Sequence, residues 1–271
     1  MKPHPLDTYR GCWALVTGSA RPEGLGFAFA RELAARGINL ALIDILDQEL
    51  HARAGQLQTQ YGINVLAIPA DLGDLESFPR IQDALHDVDV EILVCDHMYT
   101  PKETPEILDM ELAVHNRMID INARAYTNLI HRFGQSMRDK RKGAIIIVSS
   151  GAGLTPTAYT GAYAANKAFQ IALGEALWYE LRPYHVDVLV VVAGLMNTQG
   201  DAFAKYPQWQ IADRNDVAAQ TLRTIGRKHL IAPGRVNHVT VFVLTRLMSR
   251  RRAITQTGRF MAAGLSKGRQ P

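Results

Sequence analysis

Tyr163 and Lys167 stand four residues apart in the run TGAYAANKAF, and Ser150 lies thirteen residues before Tyr163. On a helix that four-residue spacing stacks a phenol and an ammonium on one face. A free phenol titrates near about 10, too high for easy proton exchange at neutral pH. A fixed cation beside it favours the phenolate and is expected to lower that value. A serine hydroxyl at the mouth of the preceding strand can hold a substrate oxygen while the proton moves. Together the three residue types suit acid–base chemistry at an alcohol or carbonyl oxygen. The same Tyr–Lys spacing also arises on ordinary helix surfaces, so the surrounding elements decide its meaning.

Those elements alternate regularly. Apolar runs CWALVTG, INLALIDI, INVLAIPA, VEILVCD, GAIIIVSS and HVDVLVVVA are separated by helical patterns at 24–36, 47–60, 75–86, 107–137, 158–181 and 213–226. A last short strand is expected in HLIAP, residues 229–233. Strands apolar on both faces, each followed by a helix, imply a parallel sheet covered on both sides. Right-handed crossovers then give an α/β fold: a Rossmann-type, doubly wound parallel sheet of about seven strands in a single domain. Ligands of such sheets bind at the carboxyl ends of the strands. Asp44, Asp71, Asp96, Ser149, Ser150 and Gly194 all fall at or just past those ends.

The first strand runs into TGSARPEGLGFAFARELAARG. A glycine-rich turn between strand and helix lets main-chain N–H groups approach a pyrophosphate at the helix amino terminus. Gly18 makes the turn in this reading, while Gly24 and Gly26 permit close approach and tight packing. Asp44 follows eighteen residues after Gly26, where a carboxylate suits the free ribose hydroxyls of NAD and repels the extra phosphate of NADP. Arg21 in the loop is the counterweight, because a guanidinium there could meet a 2′-phosphate. Asp71 ends the third strand, placed to accept a hydrogen bond from an adenine amino group or to cap the next helix.

Taken together these residues resemble the short-chain dehydrogenase/reductase (SDR) family from about Cys12 to Pro233. The family's Asn–Ser–Tyr–Lys tetrad matches at Asn122, Ser150, Tyr163 and Lys167, and its PGxxxT stretch matches as AGLMNT ending at Thr198. The resemblance implies hydride transfer with NAD. Tyr163 would act as acid and base, Ser150 would fix the substrate oxygen, and Lys167 would lower the phenol pKa and hold the ribose. Asn122 would anchor a water leading from Lys167. It also implies cofactor contacts from Gly18, Arg21, Gly24, Leu25, Gly26, Asp44, Asp71, Leu72, Asp96, His97, Tyr163, Lys167, Gly194, Met196 and Thr198. The spacing to Tyr163 selects Ser150 over Ser149, which points to the opposite face of the strand.

Three positions depart from the family pattern. The glycine turn carries two extra residues, Cys95-Asp96-His97-Met98 replaces NNAG, and Ala193 replaces a proline. The second could narrow the cofactor groove, give His97 a role, or merely repack the sheet end. The family shapes its substrate site with the segment after the sixth strand, here about 195–211, and with the loop after the catalytic serine. Met196, Phe203, Tyr206, Pro207 and Trp209 in the first, and Leu154, Tyr159 and Thr160 in the second, point to a hydrophobic secondary alcohol or ketone, alicyclic, aromatic or steroid-like. The alternatives are an NADP-dependent carbonyl reductase and a non-catalytic dinucleotide-binding scaffold.

Composition adds limits. The 271 residues are 47% apolar and 21% charged, ordinary for a globule with a sizeable core. The amino-terminal MKPHPLDTYRG lacks an apolar signal core and no apolar run reaches about 18 residues, so a cytoplasmic protein with free Cys12 and Cys95 is expected. No acidic residue follows Asp216, while eleven basic ones do, leaving 19 basic against 26 acidic residues before them. The chain is therefore divided into a dehydrogenase domain, 1–235, and a basic amphipathic extension, 236–271. The extension is expected to pack on the domain or a partner subunit, its arginines meeting the acidic remainder; peripheral membrane contact is the second reading. A homodimer or homotetramer is expected; neither a metal nor nucleic acid is.

Overall fold

The computed structural model describes residues 4–101, 106–198 and 207–266. Among them, seven parallel strands form one sheet: β1 Trp13–Thr17, β2 Asn39–Asp44, β3 Val65–Pro69, β4 Val90–Cys95, β5 Gly143–Ser150, β6 Val186–Ala193 and β7 Leu230–Ile231. Their order is β3-β2-β1-β4-β5-β6-β7. The chain thus winds outward from β1 to β3, returns to pair β4 with β1, and winds outward again. The doubly wound sheet expected from the alternating pattern is the one observed.

Alternate residues of each strand enter opposite cores, as a period of two requires. Ala14 and Val16 of β1, with Leu40 and Leu42 of β2, pack against helices α1 (Leu25–Ala34), α2 (Asp47–Tyr61) and α8 (Arg214–Leu222). Leu15, Ala41 and Ile43 face the other way, toward α3 (Ser77–Ala84), α5 (Ala125–Lys140) and α7 (Gly161–Leu181). Complete burial of a Val, Leu or Ile side chain contributes about 1.5–3 kcal/mol. A one-residue slip would exchange the side chains of the two cores, so their shapes help hold the register. Helix α7 lies very close to the sheet: a Cβ on Gly174 would stand 2.3 Å from Val190 Cγ2.

The starts of two helices differ from expectation by three residues or more, each for a local reason. The helix expected at 107–137 starts only at Leu112, as α4 (Leu112–Ile119), and is interrupted by a π turn, Asp120–Arg124, before α5. Ile107 and Met110 lie in the turn before α4, facing a crevice rather than a helical core stripe. The helix expected from 158 starts at Gly161, because Tyr159 takes a left-handed φ of 63°.

After β7 come α9 (Arg235–Phe242), a π turn Val243–Leu247, and α10 (Arg250–Ser266). Asn237 of α9 donates to the Val192 carbonyl, and Thr257 of α10 donates to the Pro156 carbonyl. The expected pairing of tail arginines with carboxylates is not found. Among the described residues, Arg235, Arg246, Arg250, Arg251, Arg252 and Arg259 are exposed and none lies in an ion pair. After Asp216 the chain has no carboxylate of its own, and the contacts of α10 with the loop at 156–158 come from Thr257 and Gly258. No described helix is long and apolar enough to cross a membrane.

Candidate active site

The switch between the two windings opens a crevice at the carboxyl ends of β1 and β4. Thr17 closes β1 there, and its hydroxyl organises both sides. It accepts from the Asp96 and His97 main-chain N–H groups at 3.1 and 3.3 Å, and lies 2.7 Å from His97 Nδ1. Gly18 follows with φ +71°, packed so closely that a Cβ would meet the Asp96 and His97 main chain at 3.1 Å. A Cβ on Gly26, in the first turn of α1, would stand 2.3 Å from the Gly18 oxygen. The main chain therefore packs into a tight cradle at the amino terminus of α1, the end of a helix that attracts anions. Leu25 is buried behind it.

Asp44 clamps this cradle: one carboxylate oxygen accepts from Ala20 N at 3.0 Å, the other from Leu46 N at 3.2 Å. Arg21 on the loop is exposed and in no ion pair among the described residues. Asp71 is already engaged, accepting from Gly73 N at 2.9 Å and paired with Arg117 of α4 at 2.5 Å, while Leu72 turns into the core. Asp96 receives the Gly26 N–H, and burial pushes its carboxyl well above the usual range against the pull of Lys167.

His97 does not reach into the crevice. Its ring is buried, tilted by 36° against Tyr126 with centroids 4.4 Å apart, and its Nε2 has no hydrogen-bond partner among the described residues. Burial, with the Lys167 charge, holds the imidazole neutral, its pKa pushed down to about 3. The bulky replacement of the family's alanine therefore repacks the sheet end, and only its main chain borders the cradle. Met98 next to it is 40% exposed.

On the other bank, α7 carries Tyr163 and Lys167 on one face. Lys167 is buried; its Nζ donates to the Val148 carbonyl at 2.9 Å and to Gln170 Oε1 at 3.0 Å, and lies 5.6 Å from the Tyr163 ring centre. Ser149 turns away and donates to the Lys167 carbonyl at 2.8 Å, whereas Ser150 faces the phenol. The phenol does not behave as the spacing suggested. Burial raises the Tyr163 pKa; the Ser150 hydrogen bond opposes this and Asp96 adds to it. Lys167 itself is pushed down to about 8 by burial, with Asp96 opposing. The cation is itself buried and bonded to Val148 and Gln170, and desolvation of the phenol prevails.

Asn122 sits in the π turn, fully buried. Its side chain is spent on the Tyr99 main chain, accepting from N at 2.8 Å and donating to O at 2.7 Å. Its main-chain carbonyl accepts from Gln170 Nε2 at 2.8 Å, where a water was expected. Gly194 is walled by Asn237, whose Cγ would lie 2.7 Å from an added Cβ. Met196 bridges Ala212, and Thr198 is half-buried at the end of the described segment.

A narrow crevice, partly open to solvent, ends at Tyr163 and is walled by Ile107, Met110, Met118, Tyr159 and Thr160. Tyr159 and Thr160 are expected there from the sequence; the three apolar residues from the α4 region are not, since they fall in the helix expected at 107–137. Of the other expected substrate residues, Phe203 and Tyr206 lie outside the described residues, Trp209 is 68% exposed, and Leu154 packs against α7 and β6. Gln170 and Asn237 were missed as well. Gln170 had a signal, since Tyr163, Lys167 and Gln170 fall at i, i+4 and i+7 of one helix face; Asn237 had none.

The model of the short chain dehydrogenase family matches residues 12–208. A 7beta-hydroxysteroid dehydrogenase of Clostridium sardiniense is 27% identical over 84% of this chain and 87% of its own length. A very-long-chain 3-oxoacyl-CoA reductase of Anas platyrhynchos is 31% identical over 72% of this chain, which spans 63% of that protein. A solved structure from work on 7beta-hydroxysteroid dehydrogenase stereoselectivity superposes with a TM-score of 0.87 at 22% identity, covering 93% of this chain and 98% of the other.

Proposed function

Because the chain belongs to the short-chain dehydrogenase/reductase family of oxidoreductases, which act on CH–OH groups with a nicotinamide dinucleotide, we propose that it moves a hydride between NAD(H) and a hydrophobic secondary alcohol or ketone. The observation that carries this reading is the apolar crevice ending on Tyr163, with Ser150 facing the phenol and buried Lys167 one turn behind. The 7beta-hydroxysteroid dehydrogenase relative supports an alicyclic or steroid-like substrate for the same crevice.

The cradle fits a dinucleotide. Gly26 lets the Gly18 carbonyl pack directly against the first turn of α1, which brings the glycine turn up to a helix amino terminus, where N–H groups attract a pyrophosphate. Gly18, Gly24, Leu25 and Gly26 would hold it, Asp44 would take the ribose hydroxyls, and Gly194, Met196 and Thr198 would border the nicotinamide end. When bound, the cofactor supplies or accepts the hydride.

The protein's own part is the proton. Burial keeps the Tyr163 phenol protonated at neutral pH, which suits donation to the oxygen of a ketone. In the oxidative direction the same phenol oxygen takes the alcohol proton. Ser150 holds the substrate oxygen. Among the described residues Lys167 meets two acceptors, which leaves one N–H for a ribose hydroxyl, and its charge favours the phenolate as the proton leaves. The crevice walls Ile107, Met110 and Met118 give that transfer an apolar border.

Ile119 on α4, with Phe169 and Tyr179 on α7, are 48%, 40% and 71% exposed, which favours a homo-oligomer built through these helices. The unpaired tail arginines, with exposed Val239 and Phe242 between them, favour contact with an anionic membrane surface from the cytoplasmic side.

Parallel calorimetric titrations with NADH and NADPH test the cofactor assignment. We expect NADH to bind at least tenfold more tightly, the preference falling in Asp44→Ser. Tighter NADPH binding by the unaltered protein would transfer the ribose site to Arg21 and make the protein an NADP-dependent carbonyl reductase.

A further inference from the structure

Gln170 stands one turn beyond Lys167 on α7 and is completely buried. Both ends of its amide are committed. Oε1 accepts from Lys167 Nζ at 3.0 Å, and Nε2 donates to the Asn122 main-chain carbonyl at 2.8 Å. The ammonium only donates and the carbonyl only accepts, so the amide has a single allowed orientation. Asn122 lies in a π turn, where the Ala125 N–H bonds to the Asp120 oxygen five residues back.

This arrangement differs from an ordinary buried glutamine filling space. Lys167 has three donors, and the protein supplies two neutral acceptors, Val148 O and Gln170 Oε1. A buried ammonium without them would lose its proton. An amide bonded in this way passes no proton onward, because its oxygen only accepts and its nitrogen only donates. We propose that Gln170 is a positioning residue: it aims the Lys167 ammonium across the site, ties it to the Asn122 main chain, and closes that side of it to proton traffic. The titratable groups left around Lys167 are Asp96 from the end of β4, Tyr163 from α7, and neutral His97 and Tyr126 behind them.

The proposal rests on the catalytic reading of Lys167, so its test includes a readout that needs no turnover. Protein labelled with 15N-lysine is titrated by NMR without ligand, in the unaltered form, in Gln170→Met and in Gln170→Glu, with Lys167→Arg identifying the signal. Lys167 is charged below its pKa of about 8, so a rate that needs the charge falls as pH rises through that value. Gln170→Met keeps the volume and removes the acceptor; Lys167 is expected to lose roughly ten- to hundredfold in proton affinity, a charged-group hydrogen bond being at stake. Its titration and the alkaline limb of kcat/KM then both move to lower pH. Gln170→Glu supplies an anion, and both move to higher pH. A Lys167 titration unmoved in either variant overturns the proposal, as does an alkaline limb that stays in place while the titration moves. Shifted titrations in a protein that reduces no ketone leave the positioning role standing and overturn the catalytic reading instead.

Discussion

Tyr163→Phe is expected to lower turnover by roughly 10²- to 10⁴-fold, the usual contribution of a positioned acid or base, while NADH affinity changes less than about threefold. The phenol oxygen is the protein group placed where the crevice ends, facing Ser150, and the ring remains to fill its place on α7. No charge is removed, because burial keeps the phenol protonated at neutral pH. Initial rates with a hydrophobic cyclic ketone, paired with calorimetric titration of NADH, separate chemistry from binding. Turnover within threefold of the unaltered protein would remove Tyr163 from the chemistry. Lys167→Met provides the contrast: it takes a charge from the site, so binding and turnover should fall together.

Gly26→Ala attacks the cradle instead. The added Cβ would lie 2.3 Å from the Gly18 oxygen, 2.8 Å from the Gly18 carbonyl carbon and 3.0 Å from the Thr17 oxygen, all main-chain atoms that no rotamer change can move. The turn must open, displacing the α1 N–H groups and the contact of Gly18 with Asp96 and His97. Hydrogen bonds to charged groups contribute about 1.5–3 kcal/mol each, and losing two of them predicts a fall in dinucleotide affinity of at least about 100-fold. Overpacking should cost a further 1–3 kcal/mol or so of stability, read as a lowered thermal midpoint. Gly55→Ala is the control: on α2, with nothing within 4 Å of the new Cβ, it should gain up to about 1 kcal/mol from helix propensity and leave binding unchanged. Equal dinucleotide affinity in the Gly26 and Gly55 variants would contradict the assignment of the cradle.

What the sequence made legible follows from where periodicity carries information. β5 and β6 are eight-residue strands, apolar on both faces, and such runs leave little room for another fold. The ends of β1, β2 and β5 were legible because Gly18, Asp44 and Ser150 interrupt apolar runs abruptly. The start of α4 was not. Ile107 and Met110 continue a helical apolar pattern yet face the crevice, since a substrate pocket and a core demand the same side chains.

The effect of Lys167 on Tyr163 was misjudged for a different reason. Spacing fixes which residues share a helix face, but not how much water either loses, and here desolvation exceeds the attraction. The π turn at Asn122 left no mark in the sequence, because a helix that widens by one residue keeps its composition. Gln170 could have been found by asking why a polar residue shares the buried face of Lys167. The tail's missing carboxylates were plain in the sequence, and the inference that its arginines meet the acidic body failed because net charge does not fix geometry.

The central claim is hydride transfer with proton delivery by Tyr163. Its most direct test is a single-turnover reaction of the purified protein with NADH deuterated at the nicotinamide C4 and a hydrophobic cyclic ketone, the product alcohol being examined by mass spectrometry. Deuterium is expected on the carbinol carbon of the product, faster from NADH than from NADPH, with no labelled product on the same timescale from Tyr163→Phe. Equal labelling by Tyr163→Phe, or no labelled alcohol from the unaltered protein with either dinucleotide across a panel of such ketones, would contradict it.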